Sequence, residues 1–180
     1  MRVTGGAGRG RRLKVPSGSR VRPTSDKVKQ ALFNILGDRV ADASFLDLYA
    51  GAGGVGIEAL SRDAGRVVFV DASRDSLAVV KQNIARTGLG DRAQAVLSAV
   101  ETFLKKKSET FDIIFLDPPY AEEMRPLLEL IADSGIMKPD GVVIAEHFKK
   151  QPSPKHAGVL GLYREARYGD TVLAFYKLRG

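Results

Sequence analysis

The feature that most restricts the possible folds of this chain is an alternation of short apolar segments with longer amphipathic ones between Ser44 and Ala145. The apolar segments predict five strands, over Phe45–Tyr49, Val67–Val70, Gln94–Leu97, Phe111–Leu116 and Val142–Ala145. The segments between them predict four helices, over Val55–Arg62, Ser73–Thr87, Val100–Lys107 and Glu122–Ser134. Strands that alternate with helices form βαβ units, so the sequence predicts an α/β protein with a mostly parallel sheet.

The C-terminal part of the chain departs from this alternation. Val159–Arg167 and Thr171–Leu178 flank the turn residues Tyr168-Gly169-Asp170, which predicts an antiparallel hairpin. Because a hairpin partner must be antiparallel, we expect the predicted sheet to have a mixed edge.

The N-terminal part also departs from it. Two short alternating segments around a glycine-rich stretch predict a β-hairpin extension. Thr24 or Ser25 then caps a predicted amphipathic helix that ends at Gly37. With 180 residues in all, we expect one compact unit, with the hairpin arm over 1–22 and the main domain over 23–180.

The excess of positive charge lies at the N-terminus. The chain has a formal net charge of +7, from 28 basic and 21 acidic residues, and its first 25 residues hold seven basic side chains and no acidic one. A basic arm on a neutral body is typical of nucleic-acid-binding proteins. A transit peptide is also rich in arginine, but this arm is rich in glycine and continues directly into a helix. The predicted RNA-binding residues are Arg9, Arg11, Arg12, Lys14, Arg20 and Arg22, although Arg22 could instead face a cofactor pocket.

A glycine-rich turn follows the first predicted strand. Gly51, Gly53 and Gly56 have the G-x-G-x-x-G spacing, which permits a tight turn and the close approach of a ligand. Asp71 ends the next strand, 20 residues after Gly51, where a carboxylate can accept both hydroxyls of a ribose. The sequence therefore predicts a ribonucleoside ligand at the C-terminal ends of the strands.

Asp47 favours one class of ribonucleoside ligand over another. Dinucleotide-binding folds usually have an apolar residue at this position, because a carboxylate would repel a pyrophosphate. A carboxylate can instead help to bind an ammonium group, and S-adenosylmethionine has an α-amino group and no phosphate. We therefore favour S-adenosylmethionine over NAD(P). Asp47 could also act as a helix cap or stabilise the turn.

The segment Asp117-Pro118-Pro119-Tyr120 directly follows the predicted strand Phe111–Leu116. Neither proline has an N–H that could pair with a neighbouring strand, so the backbone stops rigidly there. The segment offers a carboxylate, an unpaired carbonyl and an aromatic face at one place. This set of groups suits a flat heterocycle held by its exocyclic amine, although Asp-Pro-Pro also ends strands for purely structural reasons.

A family resemblance is carried by five segments that follow one another in a particular order along the chain. They are Arg22–Asp26, Ala31–Leu36, the glycine turn, Asp117–Tyr120 and Tyr168–Thr171. Together they resemble the bacterial 16S rRNA guanine-N2 methyltransferase family over about residues 2–178. The resemblance implies a Rossmann-like class I fold that binds S-adenosylmethionine and methylates guanine 966 of the small-subunit rRNA. It also implies action in the bacterial cytoplasm, on RNA within assembling 30S particles. A monomer is the expectation for a small enzyme that docks on a large particle.

The resemblance assigns roles to the motif residues. The predicted catalytic residues are Asp117, Pro118, Pro119 and Tyr120. The Asp117 carboxylate and the Pro118 carbonyl would accept hydrogen bonds from the amine, and Tyr120 would stack on a base that is unpaired or flipped out.

The predicted cofactor-binding residues are Thr24, Asp47, Ala50, Gly51, Gly53, Gly56, Asp71, Ala72, Ser98 and Ala99. One of these departs from the family pattern, which often has an acid or amide after the third strand to contact the adenine amino group. Ala99 cannot make that contact, which leaves Ser98, Glu101, or backbone groups with apolar packing.

Three other functions remain open at this point. An adenine-N6 methyltransferase of DNA or RNA uses a similar motif, but a DNA reader generally needs a further element for the major groove. An NAD(P)-dependent reductase is disfavoured by Asp47, and a catalytically silent RNA-binding protein could keep the same fold. With no cysteine in the chain, a disulfide framework and a cysteine nucleophile are excluded. No apolar run approaches the roughly 18 residues of a membrane span, so no membrane partner is expected.

Overall fold

The computed structural model describes residues 1–15, 24–106 and 109–180. In this part of the chain the helices are α1 (Asp26–Leu36), α2 (Gly54–Ser61), α3 (Arg74–Thr87), α4 (Val100–Leu104) and α5 (Met124–Ser134). The strands are β1 (Ser44–Leu48), β2 (Arg66–Asp71), β3 (Ala93–Leu97), β4 (Phe111–Leu116), β5 (Met137–Phe148), β6 (His156–Ala157), β7 (Leu160–Tyr168) and β8 (Thr171–Leu178). Short 3₁₀ turns over Gly37–Val40 and Gly90–Arg92 precede β1 and β3.

These strands form one sheet in the order β3-β2-β1-β4-β5-β8-β7-β6. The five strands from β3 to β5 are parallel, whereas β8, β7 and β6 are antiparallel to their neighbours. The mixed, mostly parallel sheet with an antiparallel C-terminal hairpin is therefore confirmed. In such a sheet the carboxyl ends of the parallel strands meet at one edge, where ligands bind.

The sheet separates two apolar layers. Residues of β1 alternate between them, so that Phe45 packs with α1, α2 and α3 while Leu46 and Leu48 pack with α4 and α5. Asp47 is two residues after Phe45 on the same strand, so its side chain lies on the same face of the sheet, the one that carries α1, α2 and α3. None of the helices in the described ranges is both long and apolar enough to cross a membrane.

Helix α1 begins where the sequence predicts. The Ser25 hydroxyl accepts a hydrogen bond from the Val28 amide at 3.2 Å, so Ser25 rather than Thr24 is the cap. Asp26 in the first turn suits the positive end of the helix dipole. The neighbouring Thr24 hydroxyl is thereby left for a tertiary contact, which lies in the candidate active site.

Strand β5 is much longer than the predicted Val142–Ala145. It continues to Phe148 because β8 pairs with it as far as Phe148 opposite Thr171. Glu146 and His147 are polar, so the local pattern ended the predicted strand too early. The pairing to a distant strand overrides that local pattern.

The predicted ends of two helices were also wrong. Helix α5 begins at Met124 rather than Glu122, since the residues before it form a turn in which the Glu122 amide donates to the Pro119 carbonyl at 2.9 Å. Helix α4 ends at Leu104, and residue 107 of the predicted helix lies outside the described ranges.

Residues 1–15 lie against the body of the protein. Arg2 and Arg12 form a single antiparallel bridge, supported by hydrogen bonds that pair Val3 with Arg11 and Leu13 with Met1. Val3 and Leu13 are buried in the core. The described part of the arm is thus packed into the domain by its apolar residues, and its arginines remain outside.

Helix α2 holds this segment through polar contacts. The Ala7 amide donates to the Ser61 carbonyl at 2.8 Å, and the Gly8 amide donates to the Ser61 hydroxyl at 2.8 Å. The fully buried Glu58 carboxylate accepts from the Thr4 amide and hydroxyl and lies 3.6 Å from the fully buried Lys29 ammonium. A buried charge pair of this kind is costly to break, because the remaining partner would stay buried and unpaired.

Candidate active site

Four carboxylates lie along the C-terminal edge of the parallel strands. Asp71 ends β2, Asp47 is the penultimate residue of β1, Asp117 follows β4, and Glu146 lies near the end of β5. Since the strand order is β2-β1-β4-β5, the four residues follow one another across the edge in that order. We call them the carboxylate row. Such a row can accept hydrogen bonds and attract cations but cannot donate unless it is protonated.

The glycine turn has the geometry of a nucleoside cradle. Gly51 and Gly53 have φ values of 55° and 77°, the left-handed region that favours glycine. The Gly51 amide donates to Asp71 Oδ2 at 2.8 Å, and the Ser73 amide donates to Asp71 Oδ1 at 2.8 Å. These two bonds fix the Asp71 carboxylate at the mouth of the turn, with lone pairs remaining for a ligand. Ala50, whose amide donates to the Val70 carbonyl at 3.0 Å, continues this turn.

Asp47 lies directly beneath the turn. Its Oδ2 accepts a hydrogen bond from the Gly56 amide at 2.9 Å, so it caps the first turn of α2 as one of the sequence interpretations proposed. Gly56 itself is required by packing, because a Cβ there would lie 2.3 Å from the Phe69 ring. Burial, together with the neighbouring charges of Asp71 and Glu146, raises the pKa of Asp47 to about 8, although the hydrogen bond from the Gly56 amide acts in the opposite direction. A cation placed beside a buried carboxyl with this pKa would stabilise the ionised form of that carboxyl.

The end of β3 forms the outer side of the nucleoside cradle. The Ser98 amide donates to the Asp71 carbonyl at 3.1 Å, and the Ser98 hydroxyl donates to the Ala99 carbonyl at 2.9 Å. Ala72 and Ala99 are exposed, and the side chain of Leu97 is 45% exposed at the strand end. An exposed leucine beside backbone groups provides an apolar face for a flat ring.

The segment Asp117-Pro118-Pro119-Tyr120 leaves the sheet between β1 and β5. Within the described ranges, no hydrogen bond reaches the Asp117 carboxylate or the Pro118 carbonyl. Burial raises the pKa of Asp117 well above its usual value, and the charges of Glu146 and Asp47 raise it further. Both acceptors are therefore available to a ligand, and a donor that approached Asp117 would offset the repulsion from its neighbours.

Tyr120 stands at the rim of this edge. Its side chain is 76% exposed, and its ring lies 5.8 Å from the Phe148 ring in an edge-to-face arrangement. Gln151 donates from Nε2 to the Tyr120 carbonyl at 3.2 Å, and the Lys150 ammonium lies 5.9 Å from the centre of the Phe148 ring. The structure thus adds Phe148 to the aromatic face that the sequence placed on Tyr120 alone. Lys149 forms an ion pair with Asp170 at 2.6 Å.

Glu146 lies in the part of β5 that extends beyond the predicted strand. It is 8% exposed, and its Oε2 accepts a hydrogen bond from the Thr24 hydroxyl at 2.7 Å. Burial, partly offset by the hydrogen bond from Thr24, raises the pKa of Glu146 to about 7. Thr24 was predicted to contact the cofactor. In the structure its hydroxyl donates to Glu146, at the end of the row that lies away from the glycine turn.

A second contact that sequence reasoning missed joins the two loops of the site. Tyr49 follows β1 with a φ of 57°, an uncommon conformation for a residue with a side chain. Its hydroxyl donates to the Glu122 carboxylate, which lies just beyond Tyr120. This bond ties the residue before the glycine turn to the loop that follows Asp117.

The predicted RNA-binding residues of the arm divide into two groups. Arg9 and Arg12 are exposed on the surface. Arg11 donates to the Arg86 carbonyl at 2.8 Å, and Lys14 donates to the Gln82 side chain at 2.9 Å, so both are directed along α3. Arg20 and Arg22 lie outside the described residues.

The carboxylate row does not form a metal centre. Across residues 1–15, 24–106 and 109–180, no three His, Cys, Asp or Glu side chains are arranged to hold a metal ion. The donors of this edge are spread over four strands instead. They suit an extended ligand with several hydrogen-bond donors better than a compact cation.

Comparison with known proteins places this chain in a family. The family described as Conserved hypothetical protein 95 matches residues 1–177. YlbH of Bacillus subtilis (strain 168), named as a candidate rRNA methyltransferase, is 41% identical over 184 residues and covers 100% of both chains. Ribosomal RNA small subunit methyltransferase D of Escherichia coli (strain K12) is 32% identical over 178 residues, which is 98% of this chain and 89% of that one. The chain belongs to this family.

Solved structures share the fold of this chain. The Escherichia coli protein YhhF, described as a candidate methyltransferase, has a TM-score of 0.87 at 32% identity and covers 99% of this chain and 97% of that one. The T. thermophilus 16S rRNA N2 G1207 methyltransferase RsmC, solved with AdoMet and guanosine, has a TM-score of 0.72 at 22% identity. It covers 91% of this chain and 45% of that one. The predicted class I methyltransferase fold is confirmed.

Proposed function

We propose that this protein transfers a methyl group from S-adenosylmethionine to the exocyclic N2 amine of a guanine in 16S rRNA. The observation that carries the proposal is the carboxylate row, which places Asp71 and Asp47 beside the glycine turn and Glu146 beside Asp117-Pro118-Pro119-Tyr120. Family relatives named as rRNA methyltransferases support it. We further propose guanine 966, in an assembling small subunit in the cytoplasm, as the target, and a monomer as the active form.

The residues of the glycine turn fit the proposed cofactor. Asp71, held by the Gly51 and Ser73 amides, would accept the ribose hydroxyls. Asp47 would attract the α-ammonium, directly or through water. Ala50, Gly53, Ala72 and the backbone of Ser98 and Ala99 would line the nucleoside. When bound, S-adenosylmethionine supplies an electrophilic methyl group on a sulfonium centre. The ribose hydroxyls and the α-ammonium of this ligand would thus face acceptors of the row.

Asp117 and the Pro118 carbonyl would orient the amine. An exocyclic guanine amine is a weak nucleophile, because its lone pair is delocalised into the ring. Two acceptors aimed at its hydrogens localise that pair and direct it toward the methyl group. Tyr120, with Phe148 beside it, would hold the base by stacking, a contact worth roughly 1–3 kcal/mol per base in single-stranded recognition.

The proposed reaction is a single displacement. A bond forms between the guanine nitrogen and the methyl carbon, and the bond from that carbon to sulfur breaks with its electron pair leaving on sulfur. The amine then loses one proton, for which Asp117 is the adjacent acceptor. The protein contributes alignment of nitrogen, carbon and sulfur, since holding reacting atoms in position removes much of the barrier.

A direct test measures transfer of a tritiated methyl group to small-subunit particles, naked 16S rRNA and DNA, followed by identification of the labelled base. We expect label on N2 of one guanine in rRNA. Asp117→Ala should reduce methyl transfer by at least about 10²-fold while leaving S-adenosylmethionine affinity nearly unchanged. Asp140→Ala, which changes an exposed acid far from this edge, should leave both unchanged. Label on adenine or DNA, or near-normal turnover by Asp117→Ala, would refute the proposal.

A further inference from the structure

Asp71, Asp47 and Asp117 each have a place in the proposed reaction, whereas Glu146 has none. The fold nonetheless holds Glu146 in position, at the end of the carboxylate row that lies away from the glycine turn. Its side chain is buried, and the Thr24 hydroxyl of another element fixes one of its oxygens at 2.7 Å. Burying a carboxylate at a strand end costs free energy, so a well-positioned one calls for a functional explanation.

Glu146 and Asp117 are neighbours on adjacent strands. Leu116 and Ala145 are paired in the register of β4 and β5, and each carboxylate is the next residue along its strand. Parallel strands lie about 4.8 Å apart, and successive side chains point to opposite faces. Leu116 and Ala145 both pack in the layer of α4 and α5, so Asp117 and Glu146 both project toward the opposite face. Oε1 of Glu146 accepts no hydrogen bond from the described residues.

Two adjacent carboxylates match one edge of guanine. Guanine presents the N1–H and the N2 amine side by side, and both are hydrogen-bond donors. Adenine presents an amine beside N1, which is an acceptor with a lone pair. A carboxylate opposite that lone pair would be repelled, and a buried acceptor left without a donor is costly.

Building on the proposed function, we propose that Glu146 is a specificity-determining residue that accepts the guanine N1–H while Asp117 accepts from the N2 amine. Thr24 is then a positioning residue that orients the Glu146 carboxylate. The pair would select guanine over adenine, a choice that Asp117-Pro118-Pro119-Tyr120 alone does not make. The charge of Glu146 repels that of Asp117 in the free protein, and two donors on one base edge would relieve that repulsion.

The test compares guanine with 2-aminopurine at the target position. 2-Aminopurine keeps the N2 amine, but its N1 is an acceptor rather than a donor. Either base is introduced by ligation of a synthetic segment into the rRNA. If the wild-type protein does not methylate the naked RNA, the ligated rRNA is first assembled into particles. The measured quantity is the ratio of kcat/KM for guanine to kcat/KM for 2-aminopurine, at saturating S-adenosylmethionine.

The informative variant is Glu146→Gln, since an amide keeps the shape and can donate to N1 of 2-aminopurine. We expect the wild-type ratio to favour guanine and the Glu146→Gln ratio to be lower by about tenfold or more, the scale of one good base-edge contact. A ratio within about twofold of wild type, whatever the absolute activity, would overturn the proposal. If the wild-type protein methylates no guanine RNA at all, the proposed function itself fails, which is a distinct outcome.

Two further variants separate recognition from folding. Thr24→Val keeps the Glu146 charge but removes the hydroxyl that orients it, so the ratio should fall by less than in Glu146→Gln. Glu129→Gln changes a half-exposed acid on α5, and its ratio should equal that of wild type. Circular dichroism and thermal melting identify any variant that has not folded. If Glu146→Gln does not fold, an unchanged ratio in Thr24→Val overturns the proposal.

Discussion

At the scale of single residues, Asp47 shows how one carboxylate can serve folding and binding at the same time. It caps α2 through the Gly56 amide and lies where the proposed cofactor's ammonium would be. Burial raises its pKa to about 8, far above the value of about 3.9 in an unfolded chain. The folded state therefore holds a proton on Asp47 more tightly than the unfolded state does. Its stability accordingly decreases as pH rises from about 4 to 8.

This argument predicts the behaviour of Asp47→Asn. Without cofactor, the variant should be more stable than wild type at pH 8.5 by roughly 1–2 kcal/mol, since an amide keeps the acceptor oxygen and carries no buried charge. The advantage should shrink as pH falls toward 5. Urea unfolding at several pH values measures it, and calorimetry should show S-adenosylmethionine binding weakened about tenfold.

Asp91→Asn is the matched control for this prediction, because Asp91 is exposed in the 3₁₀ turn before β3. It should show neither the pH-dependent gain in stability nor the loss of affinity. An Asp47→Asn variant that is less stable than wild type at every pH would show that the carboxylate contributes more as a cap than it costs as a buried charge.

At the scale of elements, the contact between α2 and β2 sets the position of the glycine turn. Gly56 lets the first turn of α2 approach the Phe69 ring, and there is no space for a Cβ between them. The Gly56 amide also holds Asp47, so displacement of the helix would move the turn and the row together. The third glycine of the motif is thus a packing requirement rather than a direct ligand contact.

Gly56→Ala should therefore destabilise the protein by about 1–3 kcal/mol, the usual cost of overpacking, and weaken cofactor binding as well. The control is Gly90→Ala, where the nearest atom to an added Cβ is 3.6 Å away on Ile84. That variant should remain within about 0.5 kcal/mol of wild type. Urea unfolding and calorimetry measure both quantities, and equal effects of the two variants would contradict the packing argument.

At the scale of the whole molecule, the basic arm and the carboxylate row lie in different places. The arm packs on α2, and its Arg11 and Lys14 side chains lie along α3, while the carboxylates of the row are gathered at one edge of the sheet. An RNA held by its phosphates on the arm could place one extruded base in the acidic edge, where a phosphate would be repelled. The same separation would keep the backbone of the RNA out of the reaction site.

RNA binding should consequently depend on salt through the exposed arginines. Replacement of both Arg9 and Arg12 by Gln should reduce the slope of log K against log salt by about 1.4–1.8, the contribution of two phosphate contacts. Affinity near physiological salt should fall several-fold with little change in cofactor binding. Fluorescence anisotropy over a salt series measures this effect.

The control for this experiment removes the same charge elsewhere, by replacing Lys155 and Lys177 with Gln. Both are exposed near the β6–β7 side of the sheet, the opposite side from the arm. Their loss should leave the slope nearly unchanged. Equal reductions in the two double variants would indicate that RNA contacts the protein over both surfaces.

Most of the fold could be read from the sequence because it depends on local patterns. The βαβ order, the cap of α1, the glycine turn and the C-terminal hairpin each follow from periodicity, capping and turn residues within a few positions. The ends of α4 and α5 were wrong by a few residues because of local turns, whereas the larger differences arose where a distant element decided the outcome. Strand β5 extends through Glu146 and His147 because β8 pairs with it, and the arm is docked because Glu58 and Ser61 of α2 accept its amides.

The same division holds for the candidate site. The sequence by itself determined which chemical groups follow the strands, since Asp47, Asp71 and Asp117 each stand at a recognisable strand end. Only the tertiary structure decided their order across the sheet, added Glu146 and Phe148 beside Asp117, and joined Thr24 to Glu146 across 122 positions. The physical reason is that strand order and register are set by contacts between segments far apart in the chain. No local pattern records which strand ends become neighbours.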